Sequence, residues 1–366
     1  MRIGWRGALG FALSAGLLWW TFKDIPFAEV RSGLAHANLG LFVLAAAVAT
    51  SIFPLRAIRW RVILDPVAPR LPFIELWRAT AVGMMVNNVL PARAGEVARA
   101  FALTRETPRV GFVVAVASLA VDRVFDAVVL IAMLVGAMLA PAFPGDTVIA
   151  GQPASHYALV FAAGVLVLLA GLYAIVFAPQ LIVRIFQAIV GRAAPRLVDR
   201  GTRLLTNFTL GLGALRSPQR FAAVFLWTLT LWMVGALSFW IGFRAVGISA
   251  PFSAAVFLQS LIAIGVALPS SPGFFGPFEA SAKVGLAVYG VGESQAVTWA
   301  IGYHVLSFIP ITVIGAYFFG RLGLHFREIG EEHGDESPTV LPRANRCASA
   351  PGRPRDDDSG RPGRQG

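Results

Sequence analysis

The sequence predicts an all-α integral membrane protein of about eight transmembrane helices, with two Pro/Gly-broken or re-entrant segments. Of the 366 residues, 56% are hydrophobic and 14% are charged, whereas a soluble domain is about 25% charged. Several windows approach the roughly 18 to 20 apolar residues that cross a bilayer. Stretches such as 158–178 have no polar face at helical spacing, which argues against a soluble all-α core.

The apolar windows locate the spans in chain order. The first window follows two arginines and has no small-residue cleavage site after it, so we interpret it as a retained span rather than a signal peptide. The window 110–140 contains three charged residues, and we expect it to be broken or bent. The predicted spans lie near 7–22, 39–58, 110–140, 157–178, 221–243, 251–268 and 294–320, with shorter apolar pieces at 73–92 and 270–290.

Arginine predicts the orientation. The net charge is +11, and most arginines lie in short connections between spans, which favours the positive-inside rule over nucleic-acid binding. The connections 56–78 and 179–220 are arginine-rich, whereas 141–156 contains no arginine. We therefore expect a multi-pass protein of the inner cell membrane whose N-terminus and C-terminal tail are cytoplasmic.

Two domains are expected. Residues 1–330 form the polytopic membrane domain. Residues 331–366 are rich in Pro, Gly, Arg and Asp and almost lack large apolar residues, so they are expected to be a disordered C-terminal tail.

The first polar segment, NNVLPARAGEVAR (87–99), interrupts an apolar region. Its proline and glycine favour a helix break, and irregular backbone at membrane depth survives only when it is buried in protein or lines a water-filled cavity. Arg93, Glu96 and Arg99 are three residues apart, so two arginines share one carboxylate and a net positive charge remains for a phosphodiester. A structural salt bridge in an interfacial loop is the alternative. The candidate binding residues are Asn87, Asn88, Arg93, Glu96 and Arg99, and the break residues are Pro91 and Gly95.

The second polar segment, LPSSPGFFGPFEASAK (268–283), resembles residues 90–99 of the first, LPARAGEVAR. Both begin Leu-Pro and restart with a glutamate. Matching Pro/Gly interruptions in two halves of a chain indicate an internal repeat and a binding site. Glu279 and Lys283 are further candidates, although at this spacing they can also neutralise each other. The break residues are Pro269, Pro272, Gly273 and Gly276.

A third polar segment, ASLAVDRVFDAV (117–128), contains Asp122, Arg123 and Asp126. These residues require an internal partner, for which we expect the free arginine near position 93, and a structural triad and a proton-coupling site both fit. Arg59 suits either a snorkelling anchor or a headgroup vestibule. His304, within an apolar span, is expected to be a hydrogen-bonded core residue.

Four segments in order carry a family resemblance: LRAIRWRVIL (55–64), NNVLPARAGEVARAFAL (87–103), ASLAVDRVFDAVVL (117–130) and LPSSPGFFGPFEASA (268–282). They resemble the membrane region of lysylphosphatidylglycerol synthases and the flippase-like integral membrane proteins of that type. The resemblance covers about residues 5–325. In the bifunctional synthases a soluble domain performs the aminoacyl transfer, and no such domain is expected here.

The resemblance implies a flippase-like transporter that moves a lipid or lipid-linked amphiphile with a phosphate-bearing headgroup between leaflets. The alternatives are a non-transporting scaffold for a lipid- or glycan-modifying enzyme, or an intramembrane transferase. No catalytic residue, metal or cofactor is expected, and the protein is not expected to be an enzyme. Expected partners are anionic or zwitterionic membrane lipids, with a second copy of the chain or a partner enzyme as further candidates.

The orientation predicts a labelling pattern. In a variant whose native Cys347 is replaced by serine, a cysteine placed within 141–156 should react with an impermeant thiol reagent added outside the cell, and one placed within 196–203 should react only after permeabilisation. The reverse pattern would contradict the cytoplasmic assignment of the arginine-rich connections.

Overall fold

A computed structural model describes residues 5–90, 94–144, 178–193, 217–267 and 270–325, with a few further positions between 148 and 171 and at 202. Eleven α-helices lie in these residues: α1 Trp5–Phe22, α2 Phe27–His36, α3 Leu39–Leu64, α4 Phe73–Val89, α5 Gly95–Glu106, α6 Phe112–Met138, α7 Pro179–Ala193, α8 Pro218–Ala245, α9 Phe252–Gly265, α10 Pro277–Ala287 and α11 Glu293–Arg321. A 3-10 turn, Pro272–Phe274, precedes α10, and two two-residue strands, β1 Val148–Ile149 and β2 Gln152–Pro153, pair antiparallel.

The helical architecture confirms the all-α prediction. Among the described residues, three helices are long and apolar enough to cross a membrane: α3, α8 and α11. Two shorter apolar helices lie at Leu9–Phe22 and Phe252–Gly265. The total of about eight spans remains a prediction, because most of the expected span 157–178 lies outside the described residues.

The order of helices supports the predicted internal repeat. In α3–α6 a long helix is followed by a shorter one, a break, a second short helix and a long one, with lengths of 26, 17, 12 and 27 residues. In α8–α11 the same order recurs, with lengths of 28, 14, 11 and 29 residues. Each polar segment thus occupies the same place in its half.

The two halves also pack on each other in a symmetrical way. The two leading helices, α3 and α8, pack on each other. The second helix of each half packs against the last helix of the other, since α4 contacts α11 and α9 contacts α6. The two breaks therefore form parts of one interlocked bundle.

The first break separates α4 from α5 and is fixed by close backbone approach. The Asn87 Oδ1 atom accepts a hydrogen bond from the Gly95 N–H group at 2.9 Å. A Cβ atom at Gly95 would lie 2.0 Å from the Gly83 carbonyl oxygen on α4, so only glycine fits there. Gly95 thus lies between the two helices as the first residue of α5, whereas Pro91 lies outside the described residues.

The second break separates α9 from α10, and contacts with α1 stabilise its backbone conformation. The Ser271 N–H group donates to Ser14 Oγ at 2.8 Å. Gly276 has a φ angle of +98°, and a Cβ atom there would lie 2.6 Å from the Ser14 carbonyl oxygen. Pro272, Gly273 and Gly276 lie between α9 and α10. Pro269 lies outside the described residues.

The expectation of a break in the window 110–140 was wrong: α6 runs without interruption from Phe112 to Met138. Its charged side chains meet partners on neighbouring helices, so the backbone does not have to open. The helix that contains the predicted second span, 39–58, is longer than expected, because α3 continues to Leu64 with Arg56 and Arg59 buried.

Candidate functional site

Arg59 on α3 joins the two aspartates of α6. Its Nη2 atom lies 2.8 Å from Asp122 Oδ1, and its Nη1 atom donates to Asp126 Oδ1 at 2.6 Å. Nη1 also donates to Thr228 Oγ1 on α8 at 3.0 Å. Asp122 and Asp126 are four residues apart, so both carboxylates lie on the helix face that meets α3. The expected partner near position 93 lies outside the described residues. Arg59 does not snorkel, because its exposed fraction is 0%.

Two further arginines complete the buried cluster. Arg99 Nη1 donates to Asp122 Oδ2 at 3.2 Å, and the Arg99 guanidinium lies 4.0 Å from the centre of the Trp60 ring. This stacking adds a cation–π attraction in a site removed from water. Arg99 thus forms an ion pair with Asp122, whereas the sequence predicted an ion pair with Glu96.

Glu96 instead pairs with Arg123. The Arg123 Nη2 atom lies 2.9 Å from Glu96 Oε1, and its Nη1 atom lies 3.4 Å from Asp126 Oδ2. Because Arg123 is 41% exposed and Glu96 is 32% exposed, this pair forms the accessible edge of the cluster. It connects the first residues of α5 to α6.

A cavity of about 420 Å³ opens beside this edge. It reaches from the first polar segment to Phe274 in the turn of the second one, so both breaks contribute to it. Much of its wall is apolar, with Leu130 and Ile131 on α6 and Ile262 on α9. Its polar lining consists of Arg56, Asn87, Glu96, Arg123, Asp126 and Gln259.

Arg56, like Gln259, lines the cavity but was not among the candidate residues predicted from the sequence. It is 6% exposed, and its Nε and Nη1 atoms make no hydrogen bond with any described residue. Its nearest carboxylate oxygen, Asp126 Oδ2, is 3.7 Å from Nη1, and its guanidinium lies 5.5 Å from the centre of the Trp232 ring. Its spacing of three residues from Arg59 on an otherwise apolar helix was the signal, since both lie on one face.

The charge of the cluster is unbalanced. Among the described residues it contains four guanidinium groups against three carboxylates, so one positive charge is in excess. The members are Arg56, Arg59, Arg99 and Arg123 against Glu96, Asp122 and Asp126. An uncompensated buried cation is costly, and an anion in the cavity would relieve that cost.

The residues predicted in the first and third polar segments, together with Arg59, have different positions relative to the cavity. Asn87, Glu96, Arg123 and Asp126 line the cavity, whereas Arg59, Arg99 and Asp122 are not part of its lining. Asn88 joins α4 to α11 through a 2.8 Å hydrogen bond to Thr312. Arg93 lies outside the described residues.

Glu279 and Lys283 do not pair with each other. Lys283 Nζ lies 2.7 Å from Glu293 Oε2, in an ion pair with the first residue of α11. Glu279 accepts from the Gly276 N–H group at 2.7 Å and contacts His304 Nδ1 at 2.6 Å. His304 is hydrogen-bonded and buried, as predicted for a core residue. Neither Glu279 nor Lys283 lines the cavity.

The fold and the cavity together define a class of protein: a polytopic α-helical membrane protein with a charged cavity between two helix breaks. The chain belongs to the family described as the lysylphosphatidylglycerol synthase TM region, whose family model matches residues 7–315. This confirms the resemblance seen in the four sequence segments.

Two curated relatives are similar over most of this chain. Glycosyltransferase AglD of Haloferax volcanii is 27% identical over 310 residues, which cover 78% of this chain and 49% of that protein. The chain thus spans about half the length of that relative. A UPF0104 membrane protein of Methanothermobacter thermautotrophicus is 25% identical over 320 residues, which cover 81% of this chain and 88% of that protein.

Because Arg59 is the counterion of two aspartates, its replacement is predicted to lower the stability of the protein strongly. Arg59→Met leaves Asp122 and Asp126 without their shortest ion pairs, and breaking a buried pair in this way costs about 3–5 kcal/mol. Thermal unfolding of the purified protein in detergent should show a strongly lowered midpoint. The matched control is Arg61→Met on the same helix, whose side chain is exposed and which should unfold like the unmodified protein. Equal midpoints for the two variants would contradict the central place of Arg59.

Proposed function

We propose that the protein is a flippase-like transporter that moves a lipid or lipid-linked amphiphile with a phosphate-bearing headgroup between membrane leaflets. One observation carries the proposal: a cavity between two helix breaks is lined by a buried arginine, Arg56, whose Nε and Nη1 atoms make no hydrogen bond with any described residue. Ionisable groups inside a membrane are expensive, and those that face a cavity mark substrate pathways.

The chemistry of the cavity suits an amphiphile with an anionic head. Arg56 offers a planar guanidinium that binds two phosphate oxygens at once, and Gln259 adds an amide on the same cavity wall. The apolar side chains of α6 and α9 suit the glycerol and acyl portions. Both anionic and zwitterionic phospholipids carry the required phosphate.

The position of the cavity suits transport. In transporters built from repeats, substrate sites lie where discontinuous helices of the two halves meet. Here both breaks reach the same cavity, and each is stabilised by close contact with a neighbouring helix. A change in the relation of the two halves would therefore alter access to the cavity from either leaflet.

The similarity to a glycosyltransferase favours a second candidate function. About half of AglD aligns with this chain, so a non-transporting scaffold for a glycan-modifying enzyme is the alternative, and a lipid-linked sugar is one cargo that fits the first proposal. We further propose an inner-membrane location with cytoplasmic termini, and a disordered tail at 331–366.

Reconstitution into liposomes tests the proposal. Labelled phospholipid in the inner leaflet should become accessible to a membrane-impermeant quencher faster in vesicles that contain the protein than in empty vesicles. Arg56→Gln should slow this by about tenfold or more, because a hydrogen bond to a charged group contributes about 1.5–3 kcal/mol.

Arg61→Gln is the matched control, since Arg61 is on the same helix and exposed. Unchanged thermal unfolding of Arg56→Gln would separate lost binding from lost folding. If vesicles with the protein move neither phospholipid nor a polyprenyl phosphate sugar faster than empty ones, the transporter proposal fails and the scaffold is favoured.

A further inference from the structure

Glu279 and His304 form a buried pair at the second break. The His304 Nδ1 atom lies 2.6 Å from Glu279 Oε1, and its Nε2 atom lies 2.8 Å from the Gly273 carbonyl oxygen. The second carboxylate oxygen of Glu279 accepts from the Gly276 N–H group at 2.7 Å. The imidazole thus stands between two oxygen atoms on opposite edges of the ring.

These contacts require a proton that a neutral histidine and a carboxylate together do not have. A carbonyl oxygen only accepts hydrogen bonds, so Nε2 must carry a hydrogen to bind Gly273. A neutral imidazole has one N–H group, which leaves Nδ1 bare against Glu279. At 2.6 Å a second hydrogen must therefore lie between them, on His304 or on Glu279.

Loss of that proton breaks one of the two contacts. If the remaining hydrogen stays on Nε2, lone pairs of Nδ1 and Glu279 face each other. If it moves to Nδ1, lone pairs of Nε2 and the Gly273 oxygen face each other. Loss also leaves a net negative charge on the buried Glu279 carboxylate. The imidazole beside it packs against Phe275 and Phe278, whose ring centres lie 4.5 and 4.3 Å from its own.

Charged and titratable groups on the surrounding helices have other partners. The pair hydrogen-bonds with none of them among the described residues. The ion pairs are Lys283 with Glu293, Arg78 with Glu106, Arg59 with Asp122 and Asp126, and Arg56 with Asp126. The hydrogen bonds are Tyr303 with Ser238, Glu29 with Ser294, His36 with Ser32, and Arg321 with Tyr317. Arg244 contacts the Trp240 ring, and Arg31 and Arg61 are exposed.

The turn that His304 binds also forms a cavity wall. Gly273 has a φ angle of +71° and the next residue, Phe274, one of +63°. A bulky residue with positive φ is strained and keeps that conformation only when its surroundings enforce it. Phe274 lines the cavity, so release of the Gly273 carbonyl removes a restraint directly beside it.

The first half of the chain contains an equivalent pair without a titratable base. Glu96 at the start of α5 pairs with Arg123, as Glu279 at the start of α10 pairs with His304. Arg123 and His304 each lie eleven residues after the first residue of their helix, Phe112 and Glu293. An arginine is permanently charged, whereas histidine titrates between about pH 5 and pH 8. The two halves thus share the pairing but differ in its response to protons.

We propose that Glu279 and His304 form a proton-binding site whose occupancy sets the conformation of the turn 272–276 and therefore the wall of the cavity. With the proton bound, both His304 contacts form and the turn is held as observed. Without it, the turn is released. Proton binding and turn geometry are properties of the purified protein, so they are measured independently of lipid transport.

Nitrogen NMR of histidine-labelled protein in nanodiscs tests proton binding directly. The chain has five histidines, and the His304 signals are those absent from His304→Gln. We expect both His304 nitrogens to be hydrogen-bonded at low pH and one to lose its hydrogen bond in a single transition as the pH is raised. A His304 that stays in one state over the whole pH range in which the protein remains folded would overturn the proposal.

Glu279→Gln supplies the decisive variant. A glutamine amide donates to a bare Nδ1 while its carbonyl oxygen accepts from Gly276, so both contacts form without an ionisable proton. The transition of His304 should disappear. Glu293→Gln is the matched control, since Glu293 is a 55% exposed carboxylate on α11, and it should keep the transition.

A cysteine at Ala263, a cavity residue on α9, reports the turn. The alkylation rate of this cysteine is measured at each pH in a protein whose Cys347 is replaced by serine. Each rate is divided by the rate in the same protein carrying Glu279→Gln, because this division cancels the titration of the thiol. The ratio should change through the His304 transition by at least about fivefold, the lower end of ordinary coupling between sites. A constant ratio would overturn the link between proton and cavity, even if the protein transports lipid.

Discussion

The position of Arg59 between Asp122 and Asp126 is the interaction on which the rest of the site depends. Two carboxylates one helical turn apart repel each other in a medium that solvates neither, so α6 is stable in its observed place only with a cation from α3 between them. The same guanidinium reaches Thr228 on α8. One side chain therefore holds together three long helices drawn from both halves of the chain.

This arrangement leaves an excess positive charge beside the cavity. Because Arg59 and Arg99 satisfy Asp122, and Arg59 also satisfies Asp126, the more distant Arg56 has only a 3.7 Å contact with a carboxylate. The excess charge lies where the cavity begins, against the ring of Trp232. The repeat brings the turn of the second break to the same cavity. The excess charge and a cavity wall formed by the second break thus arise from one pairing of the two halves.

Sequence patterns predicted what is local and missed what depends on helix register. Proline and glycine placed both breaks, because their backbone restrictions act on neighbouring residues. The likeness of the two polar segments also indicated the repeat. The ion-pair partners of the charged side chains were harder to predict. Glu96 was assigned to Arg93 and Arg99, but its partner Arg123 is 27 residues away and reaches it only through the packing of α5 on α6. Arg59 was interpreted as a snorkelling anchor or as part of a headgroup vestibule, because nothing in the sequence shows how far α3 continues.

The central claim is that the cavity binds the phosphate of an amphiphile through Arg56. An electron cryomicroscopy map of the protein in nanodiscs made from its native lipids tests this most directly. We expect density for a lipid phosphate within hydrogen-bonding distance of the Arg56 guanidinium, with acyl density along the apolar side chains of α6 and α9. A map in which the guanidinium instead forms a close ion pair with a protein carboxylate, and protein side chains fill the cavity, would contradict it.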